Sequence, residues 1–553
     1  MDTQKLARLL FPRETKSLSE WEAIYPKRDL PRGAAVTRFA PSPTGFVHVG
    51  SMFPIIVNQR LSRSSGGIML LRLEDTDSKR EISGAAVDII QTLAEYGIVF
   101  DEGVFLTSEN KISEKGCYSP YFQQSRKSLY TSCARHLVEQ GYAYPCFCSE
   151  DALSAMRQEQ QSRKDNLGYF GKWASCRNLS LEDIQNKLAQ GQACVLRLKS
   201  PGNNSNKIVL DDLCRGQLEM PENDIDHVLL KSDGIPTYHF AHAADDHFMR
   251  VTHVVRGDEW LATYPLHHQL FGLLGFDRPK YIHLAPLMKA QDGSKRKLSK
   301  RKDPEAALRY YSENGFPKEA LQEYISILLN SDYDDWRRAN PDADAEAFPF
   351  SVKKLGWSGS LFDMDKLLDV SRGVIAGMTA CQVYNGTAGW AERFDQGFHK
   401  LFTRNRAYSE RILSIGRGGK KPRKDIATWK DVPCYISFFF PELFSPREII
   451  PVGITPEDYS AVLSAYAPIY DTNDEQGEWF QKIKDLGASL GFCPDVRTYK
   501  KCPENWKGSV ADVCMVLRTA VTGRENSPDL YECMRILGKA AVLERINHLA
   551  VRK

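Results

Sequence analysis

The sequence contains no apolar run that approaches the roughly 20 residues a helix needs to cross a bilayer, so we expect no membrane partner. It has no internal repeat and no low-complexity tract. It also lacks an excess of either charge, because 73 basic residues against 70 acidic ones give a net charge of +3. Any surface that binds RNA must therefore be local.

Disulfide chemistry and secretion are not indicated either. The thirteen cysteines are an odd number scattered along the chain, and no secretory signal is evident, which favours reduced thiols in a cytosolic protein. The first thirty residues mix acidic side chains such as Glu20 and Glu22 with basic ones, which argues against a mitochondrial transit peptide. With 553 residues, 42% of them hydrophobic, the chain can form several cores, and we expect a cytoplasmic monomer of several domains.

One stretch, Arg38–Ser51, organises the chain. It follows a short apolar run, residues 34–36, that predicts a buried strand, and it precedes residues 52–61, whose apolar content predicts a helix. His48 and Gly50 then lie at the N-terminus of that helix, where unpaired N–H groups and the helix dipole attract anions. Taken alone, the pattern is equally that of a proline-stiffened surface loop.

A second stretch, Lys295–Lys302, contains six basic residues in eight between Gly293 and Pro304. This composition predicts a mobile cationic loop. In isolation it would indicate a solvated charge run or a nucleic-acid-binding patch.

The two stretches together resemble the two signatures of class I aminoacyl-tRNA synthetases. The string Arg-Phe-Ala-Pro-Ser-Pro-Thr-Gly at residues 38–45, the His-x-Gly at 48–50, Glu74–Asp77, and Lys-Leu-Ser-Lys-Arg at 297–301 are similar to the bacterial type of glutamyl-tRNA synthetase. The resemblance runs from about Val36 to the C-terminus. It implies attachment of L-glutamate to tRNA(Glu), with ATP, Mg2+ held with the ATP, and a glutamyl-adenylate intermediate.

The resemblance also implies the fold: a Rossmann-like catalytic domain with a parallel sheet, split by an inserted α+β domain and followed by an all-α anticodon-binding region. The expected segments are an N-terminal extension at 1–33, the first catalytic half at 34–119, an inserted acceptor-stem-binding domain at 120–235, the second catalytic half at 236–302, a helical stem-contact region at 303–379, and the anticodon-binding domain at 380–553. Leu6, Leu9 and Leu10 predict a short amphipathic helix in the extension.

The resemblance implies that residues of both stretches, Arg38–Ser51 and Lys295–Lys302, bind the phosphates of ATP. His48, Lys297 and Lys300 are the expected catalytic residues, and the expected ATP-binding residues are His48, Gly50, Ser51, Lys297 and Lys300. The chemistry requires positioning and charge neutralisation rather than a protein nucleophile.

Glutamate binding needs cations for two carboxylates and an anion for the ammonium group. The expected glutamate-binding residues are Arg38, Ser42, Glu74, Tyr238, His242 and Arg256. Two guanidinium groups suit two carboxylates, because each can form paired N–H···O bonds. We place Arg38 on the side-chain carboxylate and Arg256 on the α-carboxylate. His242 departs from the family, since many bacterial relatives have Asn there.

Two interpretations fit three cysteines of the segment expected to be inserted. Some relatives bind zinc through a Cys-x-Cys and a later cysteine with a fourth ligand, which corresponds here to Cys146, Cys148 and Cys176. The residue two positions later is Asn178, a poor zinc ligand, and Tyr169 is a possible substitute. The alternative is a set of small buried thiols.

Beyond the second signature the sequence predicts helices. Residues 510–521 form an apolar stripe that ends at Gly523, and residues 530–537 form another that ends at Gly538. The acidic insert at 331–346 is predicted to be an exposed loop. In the basic segment before residue 425, the context of Arg423 resembles the family's anticodon-reading arginine.

Three other functions are compatible with parts of the pattern. Glutaminyl-tRNA synthetase shares the signatures but has a β-barrel anticodon part. A tRNA-modifying glutamyl transferase resembles the catalytic half alone, and a non-catalytic tRNA-binding relative would not need the intact motifs. Charging of tRNA with glutamate or glutamine distinguishes them.

Overall fold

The computed structural model describes residues 2–13, 15–77, 80–291, 293–299, 301–356, 358–419 and 421–550. The chain divides into two compact units. The first comprises Met1–Tyr310 with Gln322–Asp363, and the second comprises Tyr311–Leu321 with Met364–Lys553.

All strands among the described residues belong to the first unit. In chain order they are β1 (Val36–Phe39), β2 (Ile68–Leu71), β3 (Glu102–Leu106), β4 (Ile112–Lys115), β5 (Ala143–Cys146), β6 (Val195–Leu198), β7 (Lys207–Asp212), β8 (Gly216–Pro221), β9 (Val228–Leu230), β10 (His253–Gly257), β11 (Lys280–Leu284), β12 (Leu287–Gln291), β13 (Ser294–Lys297) and β14 (Ser360–Leu361).

The helices that begin before residue 340 are α1 (Thr3–Leu10), α2 (Leu18–Ile24), α3 (Met52–Ser64), α4 (Ala85–Glu95), α5 (Lys127–Glu139), α6 (Glu150–Arg163), α7 (Leu181–Ala189), α8 (Tyr238–Phe248), α9 (Tyr264–Leu274), α10 (Leu308–Glu313), α11 (Lys318–Leu329) and α12 (Asp332–Ala339). Those that begin later are α13 (Met364–Gly377), α14 (Ala380–Phe394), α15 (Gln396–Thr403), α16 (Arg406–Ser414), α17 (Val432–Ile436), α18 (Pro456–Tyr466), α19 (Gln476–Ser489), α20 (Val496–Tyr499), α21 (Val510–Thr522) and α22 (Leu530–Ala550).

The parallel strands of the first unit form two pieces. β1, β2 and β3 are parallel and connected through α3 and α4, and β10 and β11 are parallel and connected through α9. The two pieces meet where the Thr252 N–H donates to the Val36 carbonyl at 2.9 Å. The carboxyl ends of β1 and β10 therefore lie at one edge, which is where open α/β sheets bind ligands.

The first predicted strand and helix are both present, with shifted bounds. The strand lies at Val36–Phe39 rather than 34–36, and the helix runs from Met52 to Ser64. Only glycine fits at position 67, where the chain enters β2, because a Cβ there would lie 2.0 Å from the Ala35 carbonyl oxygen.

Two further sheets, and a hairpin that extends the β10–β11 piece, complete the first unit. β5, β6 and β9 form an antiparallel sheet within the segment expected to be inserted. β7 and β8 form a hairpin whose first strand pairs with β11 at Asp212 and Tyr281. β12 pairs with β13 antiparallel and with β14 parallel.

The N-terminal segment, residues 2–30, contacts three separate parts of the first unit. The Trp21 indole N–H donates to the Ser132 hydroxyl on α5 at 2.9 Å. Arg28 donates to the Glu102 carboxylate on β3 at 2.7 Å and to the Met249 carbonyl after α8 at 2.9 Å. The segment begins with the predicted amphipathic helix, α1, whose Leu6 is fully buried.

The second unit contains only helices among its described elements, as predicted. The stripe on α21 is buried, and its helix ends at Gly523 with φ +66°. At Gly538 the backbone leaves helical geometry with φ +80°, but the chain then resumes a helix to Ala550, so the expected stop is a kink.

The acidic insert was wrongly predicted to be a loop throughout. Asp332–Ala339 is helical because its first turn is acidic and its last turn carries Arg337 and Arg338, charges that complement the helix dipole. Tyr333 anchors this helix and is 1% exposed. Among the helices that the structure describes, none has the length and apolar character that crossing a bilayer requires.

Candidate active site

A cleft of about 710 Å³ opens at the carboxyl ends of β1 and β10. Seven of the residues singled out from the sequence line it, and they are Arg38, Ser42, His48, Ser51, Glu74, Tyr238 and Arg256. Segments more than 200 positions apart in the chain therefore share one cavity, which the parallel sheet brings together.

His48 caps the short 3-10 turn Val49–Ser51 that leads into α3. Its Nδ1 accepts a hydrogen bond from the Gly50 N–H at 2.8 Å, which leaves Nε2 as the protonated nitrogen of the neutral ring. A Cβ at position 50 would lie 2.9 Å from His48 Nδ1. Any larger residue at position 50 would therefore require the His48 ring to shift, a constraint that the sequence did not reveal.

Lys297 lies at the end of β13, with its Nζ 3.2 Å from the Glu259 carboxylate. Glu259 lines the cleft, whereas Lys297 is exposed at its margin. Lys300 lies outside the described residues. The expected mobile loop is partly a strand, because residues 294–297 pair with β12.

Asp303 is hydrogen-bonded to the described part of the basic stretch Lys295–Lys302. Its carboxylate accepts two hydrogen bonds from the Arg296 guanidinium, each 2.6 Å long, and one from the Ser299 backbone N–H at 2.8 Å. The Arg296 hydrogen bonds hold the pKa of Asp303 well below its usual range. Asp303 is 3% exposed, so the basic stretch is hydrogen-bonded to a buried carboxylate.

Arg38 projects from β1 toward the second half of the sheet. Its Nε donates to Asp246 Oδ2 at 3.0 Å, and Arg72 Nη1 donates to Asp246 Oδ1 at 2.6 Å. Burial acts to raise the pKa of Asp246, but Arg38 and Arg72 together hold it well below its usual range. One carboxylate therefore serves two buried guanidinium groups.

Glu74 is bonded to the same group of charges, because Arg72 Nη2 donates to its Oε1 at 3.1 Å. Burial raises the pKa of Glu74, and Arg72 and Arg38 oppose that shift. The neighbouring carboxylate, Asp245, accepts a hydrogen bond from Arg126 Nε at 2.7 Å. The sequence shows Asp245 and Asp246 next to His242, but their role as guanidinium partners was not predicted.

Arg256 projects from β10 and is 5% exposed. Its Nε donates to His283 Nε2 at 2.9 Å, and its Nη1 lies 3.0 Å from His267 Nδ1. Its Nη2 is buried and has no hydrogen-bond partner. Neither histidine was singled out from the sequence, since each is more than ten positions from Arg256 and belongs to no motif.

Tyr238 and His242 both come from the start of α8 but lie at different depths. Tyr238 lines the cleft, with its ring 4.2 Å from that of Trp260 between centroids. His242 is fully buried and stacks behind Tyr238, while its Nε2 lies 2.9 Å from the Tyr281 hydroxyl. Burial lowers the pKa of His242 to about 4. In this structure His242 supports the wall formed by Tyr238.

The three cysteines of the inserted segment cluster closely. The Sγ atoms of Cys146, Cys148 and Cys176 all lie within 4.8 Å of one another. The Tyr169 hydroxyl lies 3.5 Å from Cys146 Sγ and 3.3 Å from Cys148 Sγ. A hydrogen bond from Cys176 lowers the pKa of Cys146, which favours a thiolate there.

This cluster fits the dimensions of a tetrahedral zinc site. Sulfur ligands at about 2.3 Å from zinc stand about 3.8 Å apart, and a sulfur and an oxygen ligand stand about 3.5 Å apart. The Cys148 and Cys176 Sγ atoms are 3.6 Å apart. The Tyr169 hydroxyl lies 3.5 Å from Cys146 Sγ and 3.3 Å from Cys148 Sγ, close to the sulfur–oxygen distance.

Arg423 lies in the second unit at a shallow cavity formed with Gly416 and Tyr435. Its Nε lies 2.5 Å from Asp425 Oδ2, and its Nη2 donates to Asn526 Oδ1 at 3.3 Å. The side chain remains 39% exposed.

Comparison with known proteins agrees with this geometry. Residues 34–337 match a family model described as tRNA synthetases class I (E and Q), catalytic domain, and residues 498–550 match one described as an anticodon binding domain. The chain is 46% identical over 550 residues to the glutamate--tRNA ligase of Acetivibrio thermocellus, covering 99% of this chain and 100% of that protein. It is 44% identical, with the same coverage, to the glutamate--tRNA ligase of Clostridium perfringens.

Among solved structures, a glutamate tRNA ligase from Elizabethkingia meningosepticum in complex with its amino acid has a TM-score of 0.74 and 25% identity. The match covers 94% of this chain and 99% of that one. The glutamate-tRNA synthetase of Elizabethkingia anophelis has a TM-score of 0.72 and 26% identity, with the same coverage. The chain therefore belongs to the class I tRNA synthetases, and within them to the family of the glutamate--tRNA ligases. The fold class expected from the sequence is confirmed.

Proposed function

We infer that this chain is a glutamate--tRNA ligase, which uses ATP to attach L-glutamate to the 3′ end of tRNA(Glu) through a glutamyl-adenylate. The observation that carries the inference is one cleft lined by two buried arginines, a buried glutamate and His48. The cleft provides cations for a dicarboxylic acid, an anion for an ammonium group and a helix N-terminus for phosphate.

The reaction has two steps. An α-carboxylate oxygen of glutamate attacks the α-phosphorus of ATP, the bond to the β-phosphate oxygen breaks, and pyrophosphate leaves. The terminal ribose hydroxyl of the tRNA then attacks the glutamyl carbonyl carbon and loses its proton, and AMP leaves. The protein contributes in-line positioning and stabilisation of charge on the phosphate oxygens.

For glutamate we propose that Arg256 binds the α-carboxylate, Arg38 the side-chain carboxylate and Glu74 the ammonium group. The unpartnered Nη2 of Arg256 supports a ligand there, because a buried N–H group without a partner is costly. Ser42 and Tyr238 complete the walls, and His242 acts from behind Tyr238. Glutamine would be rejected because its neutral amide cannot compensate a desolvated guanidinium.

For ATP we propose that the Nε2–H of His48 and the α3 N-terminus, through Gly50 and Ser51, contact phosphate oxygens. Lys297 and Lys300 then neutralise the phosphates as pyrophosphate forms. Magnesium would enter with the ATP and neutralise part of the phosphate charge, with few protein ligands of its own. Removal of divalent cations with EDTA should abolish charging, and added magnesium should restore it.

The tRNA-binding roles remain those proposed from the sequence. Residues 120–235 would bind the acceptor stem, 303–379 the adjoining stem and 380–553 the anticodon, with 1–33 as an extension of the first unit. A match to an anticodon binding domain at 498–550 supports the last assignment. The exposed part of Arg423 supports its contact with an anticodon base. We propose that the enzyme acts as a cytoplasmic monomer.

We further propose that Cys146, Cys148 and Cys176 hold a structural zinc ion, with the Tyr169 hydroxyl at the fourth position. When bound, the metal would fix the fold of the inserted segment rather than take part in chemistry. Metal analysis of the purified protein should give one zinc per chain. Cys148→Ser should lose it and the exposed Cys117→Ser should keep it; a metal-free wild type would contradict the site.

The function is tested by charging purified tRNA with labelled glutamate or glutamine. Glutamate alone should be attached, and Arg38→Lys should lose more of its discrimination against glutamine than Arg256→Lys. Pyrophosphate exchange should be measured with tRNA present. Attachment of glutamine, or of neither amino acid, would overturn the proposal.

A matched pair of variants separates activation from tRNA binding. Lys300→Ala should reduce the activation rate by about 100-fold with little change in tRNA affinity. Arg423→Ala should weaken tRNA(Glu) binding about 10-fold and leave glutamate and ATP affinities unchanged. Lys302→Ala, in the same basic stretch, is the control. Equal losses of activation and tRNA affinity in Lys300→Ala would show that the stretch is only an RNA-binding patch.

A further inference from the structure

The two arginines of the cleft are held in different ways. Arg38 bonds to a carboxylate, Asp246. Arg256 bonds to two imidazole nitrogens, His283 Nε2 and His267 Nδ1, and among the described residues it forms no ion pair. Both histidines are 0% exposed, and both bond directly to the guanidinium.

These contacts fix the protonation of both rings. A guanidinium group can only donate hydrogen bonds, so the nitrogen that faces Arg256 must be the acceptor in each histidine. The other nitrogen then carries the proton. In His283 this is Nδ1, which donates to Asp212 Oδ2 at 2.7 Å, and in His267 it is Nε2, which donates to His239 Nδ1 at 2.9 Å.

Each histidine is therefore neutral and held in one tautomer by a partner behind it. Burial lowers the pKa of His267 and of His283, which agrees with the neutral form. The chain Asp212–His283–Arg256–His267–His239 runs continuously from β7 to α8. The Arg256 guanidinium has its Nε and Nη1 occupied, while its charge is not neutralised by any bonded acid.

We propose that His267 and His283 are positioning residues for amino-acid recognition, which hold Arg256 through neutral acceptors and so reserve its whole charge for a substrate carboxylate. A carboxylate in place of either ring would hold Arg256 equally well but compete with the substrate. The inference rests on the proposed function of Arg256, and it adds the requirement that the supporting groups be uncharged.

Three substitutions at one position test this requirement in the full-length protein. His267→Asn keeps a neutral acceptor near the Nδ1 position, His267→Asp replaces it with a charged acceptor, and His267→Leu removes the acceptor. The KM for glutamate should stay within about 3-fold for Asn, and should rise about 30-fold or more for Asp and for Leu. The KM for ATP should not change in any of them.

A role in packing alone predicts another order, because an apolar Leu would then be tolerated better than either polar residue. That result would overturn the inference. Thermal unfolding of each variant identifies any that fail to fold. His283→Gln and His283→Leu form an independent pair, since Gln keeps an acceptor near the Nε2 position; Gln should preserve the KM for glutamate and Leu should not.

Arg256→Met, which removes the charge, separates this inference from the proposed function. If it leaves the KM for glutamate unchanged, Arg256 does not bind a carboxylate and both proposals are wrong. If it raises that KM but His267→Asp behaves like His267→Asn, Arg256 binds substrate and only the role of its neutral supports is wrong.

Discussion

The two units of this chain bury different chemistry. The first encloses a group of paired charges beneath its cleft, formed by Arg38, Arg72, Arg126, Glu74, Asp245 and Asp246. The second is filled by apolar and aromatic side chains, and among its described residues the one buried charged side chain is Arg545, which donates to the carbonyls of Val521 and Phe438. Its other buried polar side chains are hydroxyls.

In the first unit, one group of buried charges therefore lies directly beneath the cleft. Burying an ion is costly unless it is paired and hydrogen-bonded, and replacing such pairs by apolar groups often stabilises a protein. The second unit has a largely uncharged interior. The first unit pairs its buried ions through hydrogen bonds, and one of these guanidinium groups, that of Arg38, lines the cleft.

The largest expected effect comes from breaking a buried pair in the first unit. Asp246→Asn leaves Arg38 and Arg72 without their shared carboxylate, and it should destabilise the first unit by about 3–5 kcal/mol and abolish charging. Urea unfolding measures the loss. The control is Asp458→Asn, which breaks the exposed pair with Lys507 in the second unit and should cost less than about 1 kcal/mol. Equal costs would remove the contrast between the units.

A smaller effect should follow a cavity in the second unit. Leu517→Ala removes a fully buried side chain from its apolar core and should cost about 3 kcal/mol. Calorimetry of the full chain should show a lower transition temperature for the second unit, while the transition of the first unit stays in place. A shift of both transitions would mean that the two units unfold together.

Acid should affect the first unit before the second. Burial lowers the pKa values of His239 and His242 to about 4, against about 6.5 in an unfolded chain. Between pH 6.5 and 4 the unfolded chain therefore binds protons that the folded chain does not, so stability is full above pH 6.5 and falls as the pH decreases through this window.

His242→Asn tests the acid effect. It should flatten the dependence of unfolding free energy on pH by up to about 1.4 kcal/mol per pH unit in that window. An unchanged slope in His242→Asn would show that this histidine is not held neutral.

Removing a helix N-cap should have the smallest effect on the free energy of unfolding, and the cost should be the same in both units. Ser180 caps α7 in the first unit and Thr379 caps α14 in the second, each through a capping box with the third helical residue. Alanine at either position should cost about 1 kcal/mol by chemical denaturation. Unequal costs would indicate that the units differ in local helix chemistry as well as in buried charge.

Short-range features of this fold were predictable from the sequence. The helix after Arg38–Ser51, the apolar stripe of α21 and its end at Gly523 follow from periodicity and turn chemistry. The convergence of Arg38 and Arg256 followed from the family resemblance, because the two residues are 218 positions apart in the chain and no local pattern relates them.

What the sequence did not predict depends on side-chain partners far apart in the chain. Asp246 bonds to Arg72 across 174 positions, and His283 bonds to Asp212 across 71. A single sequence shows these as ordinary polar residues on a helix or a strand. The helix at Asp332–Ala339 was missed for the opposite reason: its composition indicated solvent exposure, whereas Tyr333 packs inside.

The N-terminal segment has a consequence for biosynthesis. Trp21 bonds to a residue made 111 positions later, and Arg28 bonds to one made 221 positions later. At about 5–20 residues per second, a ribosome takes roughly 10–45 s to reach Met249 after it has added Arg28. The apolar face of α1 packs on α5, where the Thr3 hydroxyl donates to the Glu139 carbonyl 136 positions later in the chain. That face has no docking surface until α5 has been made, so the nascent chain is an expected client of ribosome-associated chaperones.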